Sequence, residues 1–143
     1  MADPPTNEQV TPEAIAGRLE GSFPGDLGIE PVEITDEHAR GRIVVDRRHL
    51  HPGGYVHGGA WVGFADSVAA WGTFRHLPAG HDFTTVEMKL NVFAAAAEGD
   101  ELIATAEPLH VGRRTHVWEV RVRRGDRLMA FFACTQMVLE PKG

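Results

Sequence analysis

Residues 50 to 75 contain the clearest candidate for chemistry in this sequence. A glycine-containing loop runs into His57-Gly58-Gly59, and an apolar stretch with a single carboxylate, Asp66, follows. A lone carboxylate in an apolar helix is unfavourable unless it is paired or used. Asp66 is therefore either a catalytic group or a side chain that accepts a hydrogen bond or faces water. The helix pattern taken alone favours the second, structural interpretation.

The glycine pair Gly58-Gly59 stands where this helix begins. The first N–H groups of a helix have no partner within the helix, and the helix dipole adds partial positive charge there. Such a position suits an anion, or a carbonyl oxygen that becomes negative during acyl transfer. For a glycine pair considered alone, a tight turn is the simpler explanation.

The spacing between Gly58 and Asp66 predicts a site shared between two subunits. The two residues are eight positions apart in the sequence. At a rise of about 1.5 Å per residue they lie roughly 12 Å apart along the helix axis. One helix cannot easily bring both groups to one carbonyl, whereas two antiparallel helices across a twofold axis can. We therefore expect a homo-oligomer, a dimer at least.

The helix that positions these groups has two unlike faces. Bulky apolar side chains form the face that a helix packed on a sheet requires, and these are Trp61, Phe64, Val68 and Trp71. Small residues and the acid form the other face, which consists of Gly59, Val62, Gly63, Asp66, Ala70 and Thr73. A second backbone or a ligand can approach this small face closely.

The remaining elements are predicted to be strands around that helix. We expect a loose arm over residues 1–10 and a single domain over residues 11–143, which begins with a short helix capped by Thr11 and reaching Glu20. Strands are predicted at residues 28–34, 40–46, 84–94, 101–110, 115–124 and 128–139. In the third strand Val86, Met88, Leu90 and Val92 form the apolar face, and the last strand is apolar on both sides, as a central strand would be. This order predicts an α+β fold in which an antiparallel sheet wraps one buried helix.

Composition excludes several functional classes. The net charge of −6 argues against a nucleic-acid surface, and no apolar run approaches the roughly 20 residues of a membrane span. The N-terminus lacks the features of a signal peptide, and the only cysteine, Cys134, suits a reducing compartment, so we expect a cytoplasmic protein. Cys134 is interpreted as a buried apolar residue. The eight histidines form no H-E-x-x-H motif, so no metal and no cofactor are expected.

With loop, helix and strands in place, the sequence resembles the hotdog-fold acyl-CoA thioesterases, closest to their PaaI-type and hydroxybenzoyl-CoA branch. The resemblance covers about residues 28–139. Its strongest element is G-x-x-H-G-G with an acid nine residues after the histidine, here Gly54, His57, Gly58, Gly59 and Asp66. Supporting elements are Thr85-Val86-Glu87 with Asn91 and Phe93, and Gly112-Arg113-Arg114-Thr115.

The resemblance implies hydrolysis of acyl-CoA thioesters by a homo-oligomer, with dimers that assemble further into tetramers. It gives Asp66 the role of general base or nucleophile and gives the Gly58 N–H the role of polarising the thioester carbonyl. His57 takes a supporting role in the loop. The residues expected to bind substrate are Gly59, Thr73, Asn91, Arg113, Arg114 and Thr115.

Three positions depart from the family pattern. His51 stands where the family usually has Asn or Gln near the carbonyl or the water, so we include His51 among the catalytic candidates. Ala70 stands where some relatives have Ser or Thr, which leaves Thr73 as the candidate for holding the water. Alanines follow Phe93 in place of a basic residue, so the contact with a CoA phosphate is expected from Arg113 or Arg114.

Two other functions stay open from the sequence. The first is a dimer that binds acyl-CoA without hydrolysing it. The second is a hydratase or dehydratase on acyl chains, in which His51 and Asp66 would act as a histidine–acid pair. The identity of the acyl group, and the choice between CoA and another pantetheine carrier, also stay open.

Overall fold

The computed structural model describes residues 7–143, which form three α-helices, two short 3₁₀ turns and six strands. The helices are α1 (Pro12–Ala16), α2 (Phe23–Asp26) and α3 (Gly58–His76), and the 3₁₀ turns are Asn7–Gln9 and Arg47–His49. The strands are β1 (Glu30–Ile34), β2 (Ala39–Val44), β3 (Asp82–Val92), β4 (Glu101–Val111), β5 (Thr115–Arg124) and β6 (Arg127–Leu139).

The six strands form one antiparallel sheet around α3. Their order across the sheet is β1-β2-β4-β5-β6-β3, and every neighbouring pair is antiparallel. The helix α3 packs on one face of this sheet, and it contacts β4, β2 and β5 most extensively. The predicted α+β architecture, a sheet wrapped around one long helix, is confirmed.

The bulky face of α3 forms the centre of the core, as its pattern predicted. Trp61, Phe64, Val68 and Trp71 are each at most 3% exposed. They pack against fully buried residues of the middle strands, which include Leu102, Ala104, Ala106, Trp118, Val120 and Val122. Burial of this kind contributes roughly 1.5–3 kcal/mol for each large apolar side chain, so this contact dominates the stability of the fold.

The helix approaches the sheet closely because one of its core-facing residues is a glycine. A Cβ atom on Gly72 would lie 2.5 Å from Cη2 of Trp118. Trp118 is itself fully buried, and its ring therefore has little room to move. Gly72 thus sets the distance between α3 and β5.

The N-terminal region differs from the prediction. Residues 1–6 of the predicted loose arm lie outside the described residues, but Val10 is fully buried and its carbonyl accepts a hydrogen bond from Arg75 of α3. Val10, at the end of the predicted arm, is therefore packed in the core. The Thr11 cap is confirmed by its bond from the Ala14 N–H, although α1 ends at Ala16 and not at Glu20. The helix α2 was not predicted, because its glycine and proline suggested a break.

Two strand predictions need correction. In β3, Met88, Leu90 and Val92 pair with the buried Cys134, Phe132 and Ala130 and share the inner face as predicted, whereas Val86 lies at a bulge and is 54% exposed. Met88 and Val92 are still 49% and 45% exposed, because α3 of the same chain covers this edge strand only in part. A bulge between Thr85 and Glu87 also interrupts the alternation. The strand β6 is not central; it lies next to this edge, and α3 packs on only one of its two faces.

We expect Gly72→Ala to lower the free energy of unfolding by about 1–2 kcal/mol, because overpacking against Trp118 outweighs the gain in helix propensity. The measurement is urea unfolding followed by tryptophan fluorescence. Gly17→Ala is the matched control, since a Cβ atom there meets only ordinary contacts at 3.6 and 3.7 Å. Equal effects of the two substitutions would contradict this account of the packing.

Candidate active site

The first turn of α3 leaves one backbone donor available. His57 caps the helix, and its Nδ1 accepts a hydrogen bond from the Gly59 N–H at 2.7 Å. Ala60 and Trp61 donate to the His57 carbonyl. Among residues 7–143, none accepts a hydrogen bond from the N–H of Gly58. Of the two glycines, Gly58 therefore has the available donor, while the N–H of Gly59, a predicted substrate contact, is already used by the cap.

Gly58 opens onto a surface cleft of about 380 Å³. His51, Tyr55, Trp61 and residues 92–95 line the same cleft. The structure thus brings together two of the predicted catalytic residues, Gly58 and His51. The cleft wall formed by Tyr55 and residues 92–95 is held by an isolated β-bridge between Tyr55 and Ala97.

Hydrogen bonds to the loop backbone set the tautomer of His51. Its Nδ1 accepts from the Gly53 N–H at 2.9 Å. A neutral imidazole that accepts at Nδ1 carries its hydrogen at Nε2 and can only donate from that atom. His57 and the buried His49 likewise accept a backbone N–H at Nδ1. The Nε2 of His49 donates to the Leu27 carbonyl at 2.7 Å. His51 therefore offers a donor to the cleft, as the Asn or Gln of the family pattern would.

Asp66 lies in the middle of α3, two helical turns from Gly58, and does not line that cleft. Its side chain is partly buried, and its Oδ1 accepts a hydrogen bond from the Thr85 hydroxyl at 3.0 Å. Burial raises the pKa of Asp66 above its ordinary value, and the bond from Thr85 acts in the opposite direction. A carboxylate with a raised pKa is a stronger base than an exposed aspartate.

Thr85 is a site residue that the sequence did not identify as a partner of Asp66. It pairs across the sheet with the buried Gln136, so its side chain points towards α3. The alternating pattern of β3 had placed Thr85 on the polar outer face. The bulge that follows Thr85 changes this assignment, and an alternating pattern cannot reveal a bulge.

Thr73 is not placed where the prediction required it. Its side chain is fully buried, and its hydroxyl accepts hydrogen bonds from Trp118 Nε1 at 2.8 Å and His116 Nδ1 at 3.2 Å and donates to Gln136 Oε1. The hydroxyl therefore has no remaining role for a catalytic water. The helical wheel placed Thr73 beside Asp66, but the sheet curls around this end of α3 and encloses it.

A second cavity, of about 550 Å³, lies at the C-terminal end of α3. Arg113 and Arg114 from the β4–β5 turn line this cavity, together with His76, His81 and His116. Burial lowers the pKa of His116, and the neighbouring His76 lowers it further. Of the other predicted substrate contacts, Thr115 begins β5, where its carbonyl accepts from the Gly112 N–H, and Asn91 is exposed on β3 and lines neither cavity.

The side chains that bind metals are not clustered. Across the described part of the chain, no three His, Cys, Asp or Glu side chains are grouped so as to hold a metal ion. Cys134 is 1% exposed, and burial raises the pKa of its thiol to about 12, which fits the interpretation of a buried apolar residue. No helix within residues 7–143 has the length and apolar character needed to cross a membrane.

A six-stranded antiparallel sheet of this order around one long helix is the hotdog architecture. The family model for the thioesterase superfamily matches residues 53–130, which include α3, β3 and the cleft residues other than His51. The chain belongs to this superfamily, and both the predicted family and the predicted hotdog fold are confirmed.

Named relatives and solved structures agree with this placement. A Bacillus subtilis protein named as an esterase, ComA2, is 36% identical over 120 residues, which are 80% of this chain and 91% of ComA2. A 1,4-dihydroxy-2-naphthoyl-CoA hydrolase of Listeria monocytogenes is 30% identical and covers 76% of this chain and 89% of its own. The structure of thioesterase HI1161 from Haemophilus influenzae has a TM-score of 0.85 at 24% identity, over 91% of each chain, and this likeness shows the fold.

We expect Thr85→Val to raise the pKa of Asp66, because the hydrogen bond that favours the carboxylate is removed while burial is retained. The measurement is a titration of the carboxyl carbon of Asp66 by NMR. Thr84→Val is the matched control, since Thr84 is an exposed neighbour on the same strand. An unchanged titration in Thr85→Val would show that the bond does not influence Asp66.

Proposed function

We propose that the protein hydrolyses acyl-CoA thioesters in a site shared by two subunits. The observation that carries this proposal is the separation of the amide donor and the carboxylate along α3. The free N–H of Gly58 lies in the cleft with His51, whereas the carboxylate of Asp66 lies two turns along the same helix. The Listeria relative is named as a hydrolase of an aromatic acyl-CoA, which supports the same reaction class.

The edge strand β3 supports pairing with a second copy of the chain. Met88 and Val92 pair across the sheet with the buried Cys134 and Ala130, so both point to the inner face, yet they are about half exposed. Within the described residues, β3 pairs only with β6 and leaves its other edge open. We propose that β3 and α3 of a twofold-related copy cover this surface, which makes at least a dimer and is compatible with a dimer of dimers.

In the proposed mechanism, one subunit activates the carbonyl and its partner activates water. The Gly58 N–H and the Nε2–H of His51 donate hydrogen bonds to the thioester oxygen, where negative charge develops in the transition state. Asp66 of the partner subunit takes a proton from water, and the hydroxide adds to the carbonyl carbon. The C–S bond then breaks, and the sulfur leaves with its electron pair and receives the proton held by Asp66. Direct attack by Asp66 on the carbonyl carbon is the alternative course of the same reaction.

The second cavity is the proposed site for the phosphates of CoA. Arg113 and Arg114 give it positive charge, in a protein whose net charge is −6. It lies at the C-terminal end of α3, ten residues past Asp66. An antiparallel partner helix that brings its Asp66 to Gly58 would therefore place this cavity roughly 15 Å beyond Gly58 along the helix axis. The alanines after Phe93 provide no positive charge, and the arginines of the β4–β5 turn therefore carry this role.

The central test is complementation between two inactive variants. We expect Asp66→Asn to lose at least about 100-fold in kcat because the base is removed. Gly58→Pro removes the N–H and should lose about 100–1000-fold. Mixing the two variants after unfolding and refolding should restore about one quarter of wild-type activity, because half of the dimers are mixed and each has one intact site. Thiol release from a panel of acyl-CoAs is the measurement.

Controls separate chemistry from folding in this test. Proline is tolerated at the first position of a helix, and Gly58→Ala, which keeps the N–H and has open space for its methyl group, should stay near wild type. Because burial raises the pKa of Asp66, its ionised form destabilises the fold above that pKa. Asp66→Asn should therefore be at least as stable as wild type at pH 7, with an advantage that disappears below the unfolded pKa of about 3.8. Full turnover by Asp66→Asn on every acyl-CoA would refute the proposal.

We expect Arg113→Ala with Arg114→Ala to raise KM for acyl-CoA about tenfold or more, because charge-assisted hydrogen bonds to phosphate are lost. KM for the same acyl group on N-acetylcysteamine, which has no phosphate, should not change. Arg127→Ala is the matched control, because Arg127 is an exposed arginine at the start of β6. An equal rise in KM for both thioesters would place the two arginines outside the phosphate site.

A further inference from the structure

An exposed aromatic ring lies on the small face of α3. Phe23, the first residue of α2, is 62% exposed, more than the other large apolar side chains between residues 7 and 143. Its ring nevertheless packs against the helix backbone at Gly63. A Cβ atom added to Gly63 would lie 2.9 Å from Cε1 and 3.0 Å from Cζ of Phe23. Gly63 is the residue that lets this ring rest on the helix.

The position of Phe23 relates it to the catalytic acid. Gly63 and Asp66 are three residues apart on α3, and residues with this spacing are neighbours on one helix face, with Cβ atoms about 5–6 Å apart. The ring, which rests on Gly63, therefore lies on the same helix face as the Asp66 carboxylate and about one side-chain length away from it. One of its faces rests on Gly63, and the larger part of its surface is open to solvent.

The segment that carries Phe23 is held firmly to the rest of the protein. Arg48 donates a hydrogen bond to the Asp26 carbonyl, and the buried His49 donates to the Leu27 carbonyl at 2.7 Å. The Asp26 N–H donates to the Ser22 carbonyl at 2.8 Å within the same turn. These bonds fix the backbone around Phe23, so that the ring keeps its position beside Gly63.

We propose that Phe23 is a specificity-determining wall of the acyl pocket and that it favours planar aromatic acyl groups. This inference rests on the proposed function, since the acyl group enters the argument only as part of the thioester held beside Asp66. A fixed ring standing on a glycine surface offers a flat wall, and aromatic groups gain an additional stacking interaction on such a wall that alkyl chains do not. Phe23 acts on the bound acyl group and takes no part in proton transfer.

The test measures binding in an Asp66→Asn background, so that it does not depend on hydrolysis. The probes are benzoyl-CoA and hexanoyl-CoA, and their Kd values are determined by calorimetry. Phe23→Ala should raise the Kd of benzoyl-CoA by about 3–10-fold, which is the range that aromatic pairs contribute beyond area burial. The Kd of hexanoyl-CoA should change less than about twofold. Phe23→Tyr should keep the preference, and Phe23→Leu, which is apolar but not aromatic, should lose it.

Gly63→Ala provides a second route to the same change without altering Phe23. The new methyl group displaces the ring and should therefore produce the same selective loss for benzoyl-CoA. In the Phe23→Ala background the methyl group has room, so Gly63→Ala should then have no further effect. Val44→Ala is the control for loss of an exposed apolar side chain, since Val44 is 43% exposed on β2.

Either of two results would overturn the inference. One is an equal change in Kd for both probes in Phe23→Ala, which would make Phe23 a structural anchor. The other is additive effects of Gly63→Ala and Phe23→Ala, which would mean that the methyl group does not act through the ring. A failure of the proposed hydrolysis appears separately, as absence of thiol release by the wild-type protein with both probes.

Discussion

The constraint on which this structure depends is the distance between two groups on one helix. The amide at the start of α3 and the carboxylate at its middle are roughly 12 Å apart along the axis, while the proposed hydrolysis of a thioester needs both at one carbonyl group. Because a helix is rigid, motion within one subunit does not bring them together. The proposed pairing of two antiparallel copies meets this requirement, and it also explains why β3 presents apolar residues on an inner face that its own chain leaves uncovered.

The same helix must satisfy two opposing demands. It provides the main apolar surface of the core, with Trp61, Phe64, Val68 and Trp71 buried against the sheet. It also keeps the carboxylate of Asp66 partly buried, with the Thr85 hydroxyl as its hydrogen-bond donor. Burial raises the pKa of Asp66 and makes its charged form unfavourable for folding, and the bond from Thr85 acts against that shift. The apolar face packs in the core, and the proposed reactive group lies on the other face, where the small residues allow a ring, a ligand or a second helix to approach.

Much of the fold and part of the site could be predicted from the sequence. The helix, its core face and the succession of elements along the chain follow from local periodicity and turn residues, which is why Gly58 begins α3 and Asp66 lies at its middle as predicted. His51 and Gly58 share one cleft because a short loop connects them. In contrast, Thr73 was misplaced and Thr85 was overlooked, since one position depends on how the sheet curls and the other on a β-bulge.

The sequence by itself determined the elements, the family motif and the separation of amide from acid, because each of these depends on residues close together in the chain. Only the tertiary structure decided which donors stay free. It showed that the Gly59 N–H is taken by His57, that backbone amides fix the tautomer of His51, and that Phe23 rests on Gly63. These outcomes depend on hydrogen bonds and contacts at atomic distances, and a pattern of residue types carries no information about such distances.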